Sequence, residues 1–301
     1  MNFPDSWNRD AVRGALWMTG ASMMIALSAA CVRHLSGSFT AFELVFIRCT
    51  LGALFLLPWI TKMAMRGTLR TTRMPLYILR TALSYTGMVC VFFGLANMPI
   101  GEVYSLLFLV PLITIVLAVL LLKEQAGSQA WIACGVGFIG ALVILRPGII
   151  DVSLAASAVL ITAVTYAATN TCIKSLSRTD TPVQITIYGN LLAIPIAFIP
   201  ALFFWHTPSW EDVPWLIAMA LFQTCAGLFH ARSVQAADAR VVQPFNFLRL
   251  PASVLLAWYL FAELPSHWTW LGATLIFASS YYVLYREGAS RHKNKKTGPS
   301  N

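Results

Sequence analysis

The chain has 301 residues, 58% of them hydrophobic and only 11% charged, with a mean hydropathy of +0.70. Soluble domains carry about 25% charged residues, so this composition excludes a soluble globular protein and makes lipid the solvent. The formal charge of +9 is spread over short loops and the C-terminus rather than one continuous surface, which excludes nucleic acid as a partner and leaves the bilayer.

In chain order, apolar runs of roughly the 20 residues that a membrane helix needs fall at 14–32, 39–60, 75–96, 105–122, 130–145, 153–173, 182–205, 213–230, 241–262 and 267–285. The connections are short, so the prediction is an all-α integral membrane protein of ten transmembrane helices. The first run follows a charged, proline-containing start and shows no small-residue cleavage site, so it is expected to stay as a helix. Arg146-Pro-Gly148 is a firm stop. Residues 289–301 read as a basic, disordered tail. Cys31, Cys49, Cys90, Cys134, Cys172 and Cys225 sit singly in or beside apolar runs, without CxxC or histidine at metal spacing. They are expected to be small buried hydrophobes, with no metal and no cofactor.

The stretch 97–146 returns near the C-terminus at an offset of 139. Val103, Phe108, Leu109, Leu117, Leu121, Glu124, Trp131 and Phe138 fall on Val242, Phe247, Leu248, Leu256, Leu260, Glu263, Trp270 and Phe277. Apolar matches are cheap in such sequence, so the weight rests on the paired Glu and the paired Trp seven residues later. An internal duplication follows, with units at 1–149 and 150–288. Five helices per unit send the second copy across the membrane in the opposite sense, giving two inverted five-helix repeats, a layout common in secondary transporters. Sixteen Lys and Arg then collect on the side of the N-terminus, against Arg33 and Arg146 on the other. By the positive-inside rule both termini are expected in the cytoplasm, with the protein in the inner membrane.

Phe42-Glu-Leu-Val-Phe-Ile-Arg48, Leu79-Arg-Thr-Ala-Leu-Ser-Tyr-Thr-Gly-Met88, Gly94-Leu-Ala-Asn-Met-Pro-Ile-Gly-Glu102, and Pro111 with Leu120-Leu-Leu-Lys-Glu124 resemble the drug/metabolite transporter superfamily, in its ten-helix branch built of two EamA domains. The resemblance covers nearly the whole chain. It implies a secondary transporter of a small organic metabolite that is amino acid-, nucleotide- or vitamin-like. The wording of helices 2 and 3 is closest to members that move S-adenosylmethionine. Export of a metallophore or a drug-like compound is the alternative, and coupling to protons or a counter-substrate, and a homodimer, stay open. One departure stands out: Leu250 matches Pro111, the proline follows at Pro251, and Arg249 stands where Val110 stood.

In the resembling family the middle helices line the central path, which makes Tyr85, Tyr104, Tyr166, Asn170, Gln223, Gln243, Asn246 and Arg249 the candidate substrate contacts. Tyr rings deep in a helix can stack on a flat or cationic solute; near an end they are usually interface anchors, and Asn170 near a helix end reads equally as a cap. Glu43, Arg48, Arg80 and Glu102 are the candidates for an intramembrane charge network or for coupling, because a central arginine costs about 2.5–3.5 kcal/mol on insertion scales. Glu43 and Arg48 diverge by about 140° on a helix and must seek partners elsewhere; tying helices together is their plain structural reading. Arg80 is near enough to a helix end to snorkel. Glu102 suits the positive end of its helix or an outer proton site. Glu124 and Glu263 read as loop anchors. Gln243, Asn246 and Arg249 share one side of their helix within about 120°, so Arg249 is expected to face a cavity and bind a carboxylate, or else to pair with Glu43 or Glu102. Pro111, Pro195 and Pro251 read as hinges or as static kinks. An intramembrane enzyme would need these charges to converge on one centre without a metal or nucleophile, and a sensor would carry longer loops.

Overall fold

The computed structural model describes residues 9–65, 71, 73–122, 128–145, 153–177, 179–180, 182–236, 242 and 245–296. Among these there is no strand. Eleven helices follow one another: α1 Arg9–Leu35, α2 Ala41–Met65, α3 Met74–Asn97, α4 Ile100–Leu107, α5 Val110–Leu122, α6 Ser128–Leu145, α7 Leu154–Leu176, α8 Pro182–Phe203, α9 Val213–Ala236, α10 Arg249–Phe261 and α11 His267–Lys296. Hydrocarbon offers no hydrogen bonds, so an apolar chain satisfies its backbone within each helix.

Among the described residues, Val12–Leu35, Ala41–Pro58, Met74–Asn97, Ile100–Leu121, Leu154–Leu176 and Val213–Ser233 are long and apolar enough to cross a bilayer. Trp131–Leu145, Ile187–Phe203 and Arg249–Phe261 are shorter apolar helices. Large apolar side chains such as Leu54, Leu120, Ile199, Leu202, Leu255 and Trp258 point outward. A helix that is apolar on all sides belongs in lipid.

Two of the expected helices are broken. Where the sequence suggests one helix over 105–122, the chain turns at Phe108–Leu109 between α4 and α5. Pro111 has no N–H to offer the Leu107 carbonyl, and its ring would strike that oxygen. The chain tightens instead, with Phe108 N bonding Ser105 O at 3.3 Å and Leu109 N bonding Leu106 O at 3.0 Å, the shorter-range pattern of a 3₁₀ turn. The ninth expected helix turns at Phe247–Leu248 ahead of α10. There Pro251 acts on the Phe247 carbonyl, and Leu248 N bonds Phe245 O at 3.2 Å. Ser22 of α1, fully buried, donates to that same Phe245 carbonyl at 3.1 Å. The two breaks stand at the 139-residue offset of the repeat although their prolines do not.

α4 sits at the centre, with Ile100, Val103 and Leu106 fully buried, and packs on α7, α10 and α11. Around it α1 lies on α9 and α10, α3 on α7 and α8, α2 on α8 and α9, and α6 on α11. Lipid tails are as apolar as leucine, so close backbone approach rather than water exclusion holds such helices together. α6 and α11 illustrate this: a Cβ at Gly140 would lie 2.8 Å from the Gly272 carbonyl, and one at Gly272 2.5 Å from that of Gly140. α11 continues through Lys296, into the tail expected to be disordered; its Lys and Arg are good helix formers.

Candidate functional site

At the end of the bundle where α1, α3 and α10 finish, the charges are paired off. Arg33 Nη2 meets Glu263 Oε1 at 2.5 Å, and Arg33 Nη1 donates to the carbonyls of Leu95 at 3.1 Å and of Ala96. Glu263 Oε2 accepts from Ile100 N at 3.4 Å, at the start of α4. Ala262 presents this carboxylate from the left-handed region, φ 54°, as the C-cap of α10, while Glu263 N reaches back to Ala257 O at 3.2 Å. Glu43 is fully buried and accepts from Thr40 N and Thr40 Oγ1, both at 2.7 Å, while Thr40 Oγ1 accepts from Glu43 N at 3.4 Å. That is a capping box at the start of α2. His206 N also donates to Glu43, at 2.5 Å. Glu102 accepts from Thr269 Oγ1 of α11 at 3.1 Å. Among the described residues neither Glu43 nor Glu102 pairs with an arginine. The alternative reading of Arg249, an ion pair with one of them, is not seen among the described residues.

Arg249 is the first residue of α10, directly after the second break. Its guanidinium carbon lies 5.5 Å from the ring centre of Tyr104 and 5.3 Å from that of Phe108, which α4 sets one turn apart on one side. Its Nε is buried with no hydrogen-bond partner. A cation over an aromatic face gains about 2 kcal/mol when desolvated, but it leaves the Nε donor unfilled. The two breaks touch: Phe108 and Phe247 meet edge to face at 4.9 Å between centroids. Tyr166 of α7 stands within electrostatic range of both Arg48 and Arg249, and Tyr104 within range of Arg249 and Tyr166. Gly87 lets α3 and α7 close on this group. A Cβ there would come within 2.7 Å of the Tyr166 ring and 2.6 Å of Thr165 Oγ1, and the Gly87 carbonyl accepts from Thr162 Oγ1 at 3.1 Å.

Beside this group, α2, α3 and α8 enclose a cavity of about 130 Å³, lined among others by Arg48, Arg80, Ser84, Tyr85, Met88 and Asn190. Arg48 Nη1 bonds Met88 Sδ, a weak acceptor. Arg80 Nη1 reaches the Ile185 carbonyl only at 3.4 Å. Arg80 Nε and Tyr85 Oη are buried without a partner.

Of the residues singled out in the sequence, Arg48, Tyr85, Tyr104, Tyr166 and Arg249 thus come together in two adjoining groups, with Arg80 at the far wall of the cavity. Asn246, half-buried, gives its carbonyl to Ser22 Oγ at 3.4 Å. Gln223 is half-buried on α9 and Asn170 is exposed on α7; neither joins these groups. Gln243 and Glu124 lie outside the described residues. Phe108, Met88 and Gly87 were not read as site residues. The Phe108 and Phe247 match carried the signal for the first of these, hidden among cheap apolar matches.

The sequence profile of the EamA-like transporter family matches residues 12–146 and, again, 153–285. The chain belongs to the EamA-like transporter family. A riboflavin transporter of Vibrio cholerae is 31% identical over 277 residues, covering 90% of this chain and 93% of the relative. An S-adenosylmethionine uptake transporter of Rickettsia prowazekii is 24% identical over 287 residues, covering 94% and 97%. A protein of known crystal structure shares the fold with a TM-score of 0.61 at 17% identity, over 91% of this chain and 98% of the other. This EamA-like transporter is therefore a multi-pass membrane protein of the drug/metabolite transporter superfamily, related to carriers of small metabolites.

Proposed function

We propose that this chain is a secondary transporter that moves one small organic metabolite across the inner membrane by alternating access between two inverted five-helix halves, 1–149 and 150–288. Both termini are cytoplasmic, and the pieces α4 and α5, with the broken segment that ends in α10, complete ten spans. The observation that carries this reading is Arg249: a buried guanidinium at a helix break, over two aromatic rings, with an unpartnered Nε. In transporters the substrate site lies at the repeat interface, beside discontinuous helices, and a charge inside the hydrocarbon is by default functional. Tyr104, Phe108 and Tyr166 supply flat faces for a ring. Arg249 donates to an acceptor group of the cargo, most simply a carboxylate. Riboflavin and S-adenosylmethionine, the compounds named for the relatives, both carry a flat heteroaromatic ring, which supports a ring-bearing cargo.

Metabolite profiles of cells and medium, with and without the protein, test the reading. The expected result is one small metabolite redistributed between cells and medium with its structure unchanged, and restored to its original distribution by Arg249→Gln. A profile in which the solute disappears and a new compound replaces it would point to an enzyme instead.

A further inference from the structure

We infer that the cavity between α2, α3 and α8 is a subsite for an acidic group, so that the cargo carries a carboxylate or a phosphate. The inference rests on the transporter reading and narrows its substrate class.

The cavity brings two guanidinium groups to one wall-to-wall space, and no Asp or Glu lines it. Carboxylates among the described residues are engaged elsewhere: Glu43 with Thr40 and His206, Asp180 with Tyr77 and Thr71, Glu102 with Thr269, Glu263 with Arg33. A buried charge without a partner is costly, and two like charges facing one space add to that cost. Arg48 has the Met88 thioether and the neighbouring Cys49 thiol as partners, both weak acceptors. Arg80 has one long bond to a carbonyl, and its Nε is empty-handed beside the equally unpartnered Tyr85 Oη. Every one of these atoms donates, so the missing partner is an acceptor, and the charge balance makes it an anion. Arg forks match carboxylate and phosphate oxygens.

Size decides how much of the cargo enters. At about 130 Å³ the cavity is well below the roughly 300–1,000 Å³ of sites that hold whole drug-sized ligands. It holds an end group. Gly189 fixes the seat, because a Cβ there would overlap Arg80 Nη1; the guanidinium meets α8 with its Nη1 end. The ring of the cargo then falls to Tyr166 and Tyr104, since Tyr166 is in electrostatic range of both Arg48 and Arg249 and packs on α3 at Gly87.

Titration of the full-length protein in detergent, read by thermal stability, tests this with inorganic phosphate, acetate and, as the neutral control, acetamide, against matched sodium chloride. Phosphate or acetate should stabilise the protein saturably and above chloride, and the stronger of the two names the acidic group as phosphate or carboxylate. Acetamide should not stabilise it. Arg80→Gln and Gly189→Ala should raise the half-saturating concentration at least about tenfold, and Tyr85→Phe, which removes a single hydroxyl and leaves the packing, severalfold. Stabilisation no greater than that by chloride, or unchanged half-saturation in both Arg80→Gln and Tyr85→Phe, overturns the inference. The titration needs no transport, so a protein that binds the anion yet moves no solute in vesicles would refute the transporter reading and leave the subsite standing.

Discussion

At the residue scale, Arg249 separates binding from architecture. Among the described residues its neighbours are two ring faces and no carboxylate, so its loss should be felt in cargo affinity rather than in the fold. Arg249→Gln is expected to weaken cargo binding about ten- to hundredfold, the worth of one charge-assisted hydrogen bond, with thermal stability in detergent unchanged. Arg249→Lys should also weaken it, because the ammonium keeps the charge but loses the planar fork. Unchanged affinity with a lower melting temperature would make Arg249 a structural residue. Gly87 gives the opposite case. Gly87→Ala places a methyl 2.7 Å from the Tyr166 ring, and overpacking of this kind costs about 1–3 kcal/mol; a melting curve should show it. Arg249 was legible in the sequence as a charge deep in an apolar run. What lay around it was not, because Tyr104, Phe108 and Tyr166 reach it from helices far apart in the chain. Glu43 was the converse: Thr40-Ala-Phe-Glu43 is a capping-box pattern, yet its place in an apolar segment drew it into the charge network.

At the element scale, the paired breaks distinguish this fold from a bundle of straight rods. The all-helical, apolar character could be read directly, since lipid demands long uninterrupted hydrophobic runs. The breaks could not, since a turn of Phe-Leu within such a run leaves no mark in hydropathy, and the prolines stand at Pro111 and Pro251, one residue out of the repeat register. Pro111→Ala restores the N–H that α4 and α5 lack. A continuous helix would carry Phe108 away from Phe247 and Arg249, so the maximal transport rate should fall severalfold while the protein still inserts. The capping box of α2 is independent of that site. Thr40→Ala should cost about 0.5–2 kcal/mol of stability and leave cargo affinity unchanged. The bond between Arg33 and Glu263 escaped the sequence reading altogether, because a pair 230 residues apart is invisible until the ends of α1 and α10 are brought together.

At the scale of the whole molecule, family membership and a helical membrane architecture rest on two matches that between them span 12–146 and 153–285. The proposed inverted arrangement predicts more. With both termini in the cytoplasm, a reporter fused after Asn301 and one inserted at Trp210, which is 90% exposed between α8 and α9, should report opposite sides of the membrane; agreement between them would rule the topology out. Arg33 and Glu263 tie the ends of α1 and α10 together, a cavity lies between α2, α3 and α8, and the two breaks touch at Phe108 and Phe247. The most direct measurement is uptake by vesicles containing only the purified protein, using the labelled metabolite that the profiles single out. Secondary transport predicts saturable accumulation of the chemically unchanged solute that Arg249→Gln weakens through its half-saturating concentration. Uptake that never saturates and is the same for Arg249→Gln, or recovery of the label in a different compound, would contradict it.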